Sequence, residues 1–304
     1  MRSAVAAPSE AELEALRQGV GLVRHAGGLL EVRGADRADF LHNQCTSHVK
    51  GLPQGGWLET LFLNNRGQVE FLGEVFHLPE RLWLTTDRPA ELRQRFLRYI
   101  IFDQVEVAEL PGYALLELVG PCAAEVLPAP EAGRWAEHEG GVVARHARGL
   151  RLVVPAERLE AVRRQVLGAG GVEVSPQAYA LWRVEQGLAS NPEALGELPQ
   201  EVGLEARVSY KKGCYLGQEI MARLEARGNT RYRLMALQGE GLEPGAEVRR
   251  GEKAVGRVGT VALSPQGGPL ALALLRKEVG VGEEVWAGGS AARVLEPPLQ
   301  GGRP

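Results

Sequence analysis

The segment with the clearest capacity for chemistry is Lys211-Lys212-Gly213-Cys214-Tyr215-Leu216-Gly217-Gln218-Glu219, which runs on through Ile220-Met221-Ala222-Arg223-Leu224-Glu225-Ala226-Arg227-Gly228. From Gly217 onward, Ile220, Met221 and Leu224 have helical apolar spacing, and Gly228 is a natural stop. Cys214 therefore falls in a turn leading into a helix start, behind two lysines. Ammonium groups and the positive end of a helix dipole both favour a thiolate, so these residue types in this order point to a reactive sulfur. Free amides at such a start can also hold a carboxylate or a phosphate. A second reading stays open on the local residues, in which Cys214 is a small buried apolar group, as isolated cysteines commonly are.

A second set lies on a helix that Ser175 caps, with Pro176 at its first position and Gly187 beyond its end. Steps of three place Tyr179, Trp182 and Glu185 along one slowly turning stripe, with Arg183 beside it. An aromatic face plus a carboxylate suits a flat, donor-rich heterocycle such as a pterin, through stacking and paired hydrogen bonds. The alternative is that both rings pack core while Glu185 bonds a backbone amide. Other signals are weaker. The histidines His25, His42, His48, His77, His138 and His146 show no metal-ligand spacing. Gly168-Ala169-Gly170-Gly171 follows a helix, so it is a loop and not a dinucleotide fingerprint. Arg93, Arg95 and Arg98, with Arg223, Arg227, Arg231 and Arg233, could form a basic rim for a polyanionic tail. Cys45 and Cys122 sit in apolar settings and read as packing.

The elements that must position these residues belong to an ordinary globular chain of 304 residues, 44% hydrophobic and 24% charged, with a formal charge of −3. That length allows two or three domains at roughly 100–200 residues each. A charge near zero argues against wholesale electrostatic binding of nucleic acid. No apolar run reaches membrane-span length, and the start shows no signal-peptide core, so the expectation is a cytoplasmic protein with no membrane and no nucleic-acid partner. Three widely spaced cysteines make no disulfide framework.

Ser9-Glu10-Ala11-Glu12 is a capping box for a helix to Gln18. A helix starts near Asp36, and another runs from Pro89 through Phe96, Leu97 and Ile100. Strands are expected at Leu29–Val32, Trp57–Leu63, Val69–Phe76, Leu82–Thr85, Val105–Val107, Tyr113–Val119 and Leu150–Val154, with Asn64-Asn65-Arg66-Gly67 as a turn. Glu157–Leu167 reads as a helix. After about Leu234, short apolar runs separated by Gly and Pro predict a small all-β barrel or sandwich. The class is α+β, divided into residues 1–233, a barrel over 234–296, and a flexible tail over 297–304.

Together these segments resemble the folate-binding, YgfZ-type iron–sulfur assembly proteins, relatives of the glycine-cleavage aminomethyltransferase (T-protein). The resemblance is carried by Lys212-Gly213-Cys214-Tyr215-x-Gly217-Gln218-Glu219, then Ala222-Arg223 and Arg227-Gly228. Supporting stretches are Gly34-Ala35-Asp36, Phe40-Leu41-x-Asn43-Gln44-x-Thr46, Leu61-Phe62-Leu63-Asn64 and Gly67-Gln68-Val69. Leu97-Arg98-Tyr99-Ile100, Val184-Glu185-x-Gly187 and Pro199-Gln200-Glu201 add to them. The likeness spans about residues 20–295. It implies a ring of three subdomains around a central folate-sized hole, the last a β-barrel. It also implies tetrahydrofolate as ligand and a role in assembling or repairing iron–sulfur clusters of client enzymes, with no stably bound metal. Carried over residue by residue, Cys214 becomes the functional thiol with Lys212 beside it. Tyr179, Glu185, Asn64, Tyr99, Arg223 and Arg227 become the candidate folate contacts.

The rival activity is a folate-dependent aminomethyltransferase or other one-carbon transferase. T-proteins carry a catalytic aspartate shortly after the Asn…Gly turn. Here Phe71 or Leu72 stands in that place, and an apolar side chain cannot move a proton. Glu70 is one residue away, on the opposite strand face.

Overall fold

Alternating apolar residues set most of the strands. In the computed structural model, which describes residues 7–228 and 230–299 (Arg227 by its backbone alone), they form two sheets and a closed barrel. Contacts divide the chain into two compact units. One comprises residues 14–174 and 207–222, the other the described parts of 1–13, 175–206 and 223–304.

In chain order, α1 (Glu10–Gln18) is followed by β1 (Gly21–His25), β2 (Gly28–Arg33), α2 (Arg37–Gln44), β3 (Trp57–Leu63), β4 (Val69–Leu78) and β5 (Arg81–Thr86). Next come α3 (Pro89–Leu97), β6 (Glu106–Leu110), β7 (Tyr113–Val119), α4 (Ala123–Val126), β8 (Trp135–His138) and β9 (Gly141–His146). β10 (Gly149–Pro155), α5 (Leu159–Gly168) and β11 (Val172–Glu173) complete the run. The strands form two sheets, ordered β3-β4-β5-β2-β6 and β11-β1-β7-β10-β9-β8. Every pairing is antiparallel except that of β1 with β11, which fits the α+β class. Leu29, Trp57, Phe76 and Trp83 of the first sheet pack with Leu115, Val142, Ala144 and Val153 of the second. Fully burying an aliphatic or aromatic side chain of this size contributes about 1.5–3 kcal/mol. α2 and α3 add Phe40, Leu41, Leu92 and Phe96 to a core with Leu30, Val32, Phe62 and Leu82. α3 stops at Leu97, short of the expected Ile100, because the Phe96 carbonyl takes the N–H of both Tyr99 and Ile100 and closes the helix.

One polar group breaks this apolar pattern. Glu117, in the middle of β7, is 1% exposed. Arg151 lies opposite it in register on β10, with Nη2 3.4 Å from the Glu117 carboxylate and Nε 2.8 Å from Glu74 on the other sheet. Thr85 donates to Glu74 at 2.9 Å. His25 Nε2 lies 2.7 Å from Glu117, and His146 Nε2 lies 3.4 Å from it. Burial alone would raise the Glu117 pKa, but Arg151, His25 and His146 outweigh it and hold the carboxyl well below its usual range. Burial also keeps His146 below the usual histidine value, and its Nδ1 accepts the Arg148 N–H, leaving the proton on Nε2.

In the other unit, α6 (Pro176–Gln186) and α7 (Asn191–Ala194) precede β12 (Tyr232–Gln238), β13 (Glu247–Arg250), β14 (Lys253–Ser264), β15 (Gly268–Arg276), β16 (Glu284–Ala287) and β17 (Ser290–Leu295). These strands close a barrel in the order β12-β15-β14-β13-β16-β17, its first strand starting at Tyr232. β14 bulges between Val258 and Val261, which frees the Thr260 N–H, and buried Glu193 accepts it at 2.6 Å. Glu193 also closes the capping box of α7 with Ser190. The expected capping box of α1 is present, and its Glu12 additionally accepts the Ser175 N–H at the start of α6 at 2.7 Å. Burial would raise the Glu12 pKa, yet the donors of Ser175 and Ser9 bring it down to about 2. Residues 297–299, expected in a loose tail, are tied down. The Leu299 N–H bonds the Glu185 carbonyl at 2.6 Å and Pro297 lies against Gly187, whereas 300–304 lie outside the described residues.

Glu117→Gln should destabilise the protein by about 1–3 kcal/mol, since it removes the buried charge that Arg151 and His25 face, although Arg151 keeps Glu74. Both Glu117 and His146 have depressed folded-state pKa values, so the unfolded chain binds more protons in acid. Their contributions are complete above the ordinary histidine value of 6.5 and fall away as the pH drops through it and then through the ordinary carboxylate value of 4.5. Denaturant midpoints against pH should show that loss, and Glu117→Gln should flatten its lower, carboxylate step.

Candidate functional site

The cysteine loop is built on the C-terminal end of α2. Thr46, fully buried just past that helix, accepts the Ser209 N–H through its carbonyl at 2.9 Å. Its hydroxyl donates to the Arg207 carbonyl at 2.6 Å and accepts the Leu61 N–H at 3.0 Å. Ser47 also donates to Arg207, at 3.1 Å. Residues 207–209 are thus stitched beside β3 before the chain reaches Lys212.

Lys212 and His42 then hold each other reciprocally. The Lys212 Nζ donates to the His42 carbonyl, and His42 Nε2 lies 2.9 Å from the Lys212 carbonyl. His42 Nδ1 accepts the Lys50 N–H at 3.3 Å, which leaves Nε2 as the protonated nitrogen that donates to Lys212. Burial, with the nearby cations, keeps His42 below the usual histidine pKa and therefore neutral. The Lys212 ammonium lies 4.7 Å over the Tyr215 ring. Lys212 is only 8% exposed, and burial brings its pKa down to about 8, an effect that Cys45 and Cys214 partly offset.

Gly213 and Gly217 both take left-handed backbone, at φ +100° and +88°. A Cβ on Gly217 would also lie 2.8 Å from the Asn64 carbonyl, so the turn after β3 packs directly against the start of α8 (Gln218–Arg227). Between these glycines Cys214 is exposed. It precedes the first helical residue by four positions, and the Tyr215 carbonyl, not the cysteine, takes the Gln218 N–H. Of the two lysines ahead of it, Lys212 is buried and Lys211 is exposed. The exposed thiol departs from the reading of Cys214 as a small buried apolar group. Cys45 is fully buried, and burial raises its pKa.

The remaining candidates are placed as follows. The Asn64 carboxamide is committed to its own turn, accepting from the N–H of Arg66 at 2.9 Å and of Gln68 at 3.0 Å, and donating to the Gln68 side chain at 3.1 Å. Tyr99 is exposed just after α3, near exposed Ile101 and Phe102. Arg95 does not join a basic rim. It is buried, paired with Glu70 at 3.0 Å and with the Leu63 carbonyl at 2.8 Å. In the other unit, Tyr179 stacks on Trp182 with centroids 5.8 Å apart, and Glu185 is buried one turn on. Arg223 is exposed, and the side chain of Arg227 lies outside the described residues. Phe71 is buried on β4 with the Arg88 guanidinium 4.4 Å above its ring, while Glu70 is spent on Arg95. His42 was missed as a functional residue, since its contact bridges 170 positions and has no local signature. Among the described residues no helix is long and apolar enough to cross a membrane.

No protein-family model matches the chain. It is 25% identical over 294 residues to a chloroplastic protein of Arabidopsis thaliana whose name proposes a transferase, covering 85% of this chain and 67% of that one. The tRNA-modifying protein YgfZ of Yersinia enterocolitica is 26% identical over 230 residues, covering 69% of this chain and 68% of that protein. YgfZ of Vibrio vulnificus is 27% identical over 233 residues, covering 72% and 69%. The solved glycine cleavage system aminomethyltransferase T of Bartonella henselae superposes with a TM-score of 0.80 at 20% identity, covering 94% of this chain and 88% of that one. The fold is therefore that of the glycine-cleavage T-protein, with its C-terminal β-barrel. Within that fold, the relatives named YgfZ are those the chain resembles over about 70% of its length, at 26–27% identity.

Lys212 is the buried cation two residues from Cys214, and its effect on the thiol is read by alkylation. In a Cys122→Ser background, where Cys45 is shielded, Lys212→Met should slow alkylation of Cys214 by iodoacetamide at neutral pH by about three- to tenfold. The parent rate–pH profile should carry an extra inflection near the Lys212 pKa of about 8, where that ammonium is lost, and the variant should lack it.

Proposed function

We propose that the chain is a cytoplasmic, tetrahydrofolate-binding factor that supports assembly or repair of iron–sulfur clusters in client enzymes, with Cys214 as its working thiol. The observation that carries this reading is an exposed sulfur on a loop fixed by buried Lys212 and His42. Stable clusters draw on several thiolates, so a cluster reaching Cys214 is a transient cargo shared with a client or a second thiol donor. Lys212 supplies a cation to the thiolate, and His42 fixes where that cation sits. Enzymes of tRNA modification are one client class, after the activity for which the bacterial relatives are named.

The chemistry of α6 fits a pteridine. Tyr179 and Trp182 offer stacked ring faces, and Glu185 offers a carboxylate to the donor edge of the heterocycle. Folate, when bound, would supply a carrier for one-carbon units or a reductant; this chain's residues would bind and orient it. At the place of the T-protein aspartate stands Phe71 or Leu72, neither of which can carry a proton, and this favours the assembly role over aminomethyl transfer.

Complementation of a bacterial strain lacking its own YgfZ tests the thiol. The wild-type chain should restore iron–sulfur enzyme activity and Cys214→Ala should not; equal rescue by both rules the role out. Calorimetric titration with tetrahydrofolate tests the ligand. Glu185→Ala should weaken binding by about tenfold or more, as expected for loss of a charge-assisted hydrogen-bond pair.

A further inference from the structure

A cleft of about 540 Å³, far in sequence from the cysteine loop, is lined by Arg33, Gly34, Arg37, Pro79, Glu80 and Arg81. Its volume lies in the usual range for small-ligand sites, and its walls are about half polar, with three arginines among the lining residues. Three guanidiniums reach it from three different elements: the end of β2, the start of α2 and the start of β5. Arg33 and Arg81 are direct register partners across β2 and β5, a like-charge pairing that destabilises a sheet unless something offsets it. The offset is Glu31. This buried carboxylate takes Arg33 Nε at 2.6 Å, lies 3.5 Å from Arg81 Nη1 and accepts the Trp83 indole N–H at 3.2 Å.

One negative charge is therefore shared between two cations. Arg37 has no share in it. Its Nη1 donates to the Gly34 carbonyl at 2.9 Å, and among the described residues no carboxylate pairs with it. The Nε atoms of Arg37 and Arg81 are both buried without a hydrogen-bond partner. Glu80, the second carboxylate at the cleft, sits in the β4–β5 turn at φ +57°, a strained conformation for a side chain with a Cβ.

We propose that this cleft binds a small phosphate-bearing anion, with Arg37, Arg33 and Arg81 as its donors. A tetrahedral phosphoryl group accepts hydrogen bonds from several directions at once. Donors converging from three elements match that better than they match a planar carboxylate, which a single guanidinium fork can satisfy. The inference is independent of the thiol and of the folate reading.

The test is calorimetric titration of the full chain with inorganic pyrophosphate at low ionic strength, with glutarate as a carboxylate control. The wild-type chain should bind pyrophosphate saturably, more weakly as salt rises, and more tightly than it binds glutarate. Arg37→Gln should raise the Kd by about tenfold or more. Arg33→Gln, at an exposed strand end, gives a second reading if Arg37→Gln fails to fold. Glu80→Gln should bind at least as tightly as wild type, and Cys214→Ala identically to it. No saturable binding by the wild type, unchanged binding in both arginine variants, or equal affinity for glutarate would each overturn the assignment.

Discussion

Arg151 holds two carboxylates where neither could stand alone. Glu117 lies in the dry middle of one sheet and Glu74 on the neighbouring one, and the same guanidinium reaches both. A buried carboxylate without a cation would be costly, and the apolar residues packed between these sheets offer it no water. Through Arg151 the charge network ties β10 and β7 of one sheet to β4 of the other. Sliding β10 by a single residue along β7 would turn Arg151 to the opposite face and leave Glu117 without its arginine.

That tie reaches the five-stranded sheet, and on that sheet packs the helix on which the cysteine loop is assembled. α2 buries Phe40 and Leu41, and the residues just beyond it receive a segment that returns from far along the chain. The loop then separates two jobs. Lys212 is drawn inward and desolvated, while Cys214, two residues later, is turned outward by glycines that allow the backbone to reverse. A held cation and an accessible sulfur within three residues need both halves, since a flexible lysine would spend its charge on solvent.

Local grammar carried much of this into the sequence. Capping boxes, the Ser175-Pro176 start and Gly187 end of α6, and the alternation through Trp57–Leu63 and Tyr113–Val119 are written in neighbouring residues, and they folded as read. The cysteine segment was legible for the same reason. Strands β1, β8 and β9 were not, being short and rich in glycine, charge or histidine. Residues whose roles depend on distant partners were misjudged. Asn64 is a local case: its carboxamide makes three hydrogen bonds within its own turn. Arg95 looked like a surface cation, yet Glu70 and Leu63 draw it under. His42 carried no signal, because what it touches lies on another part of the chain.

Glu12 leaves a different mark on the molecule. Its carboxylate terminates the helix that contains it and also the helix opened by Ser175, 163 positions later. During synthesis the first of these caps is complete early and waits with one oxygen unclaimed until α6 emerges. A protease that clips the chain within its opening turn would remove no part of the barrel, yet it would unfasten the front of the very helix that presents Tyr179, Trp182 and Glu185.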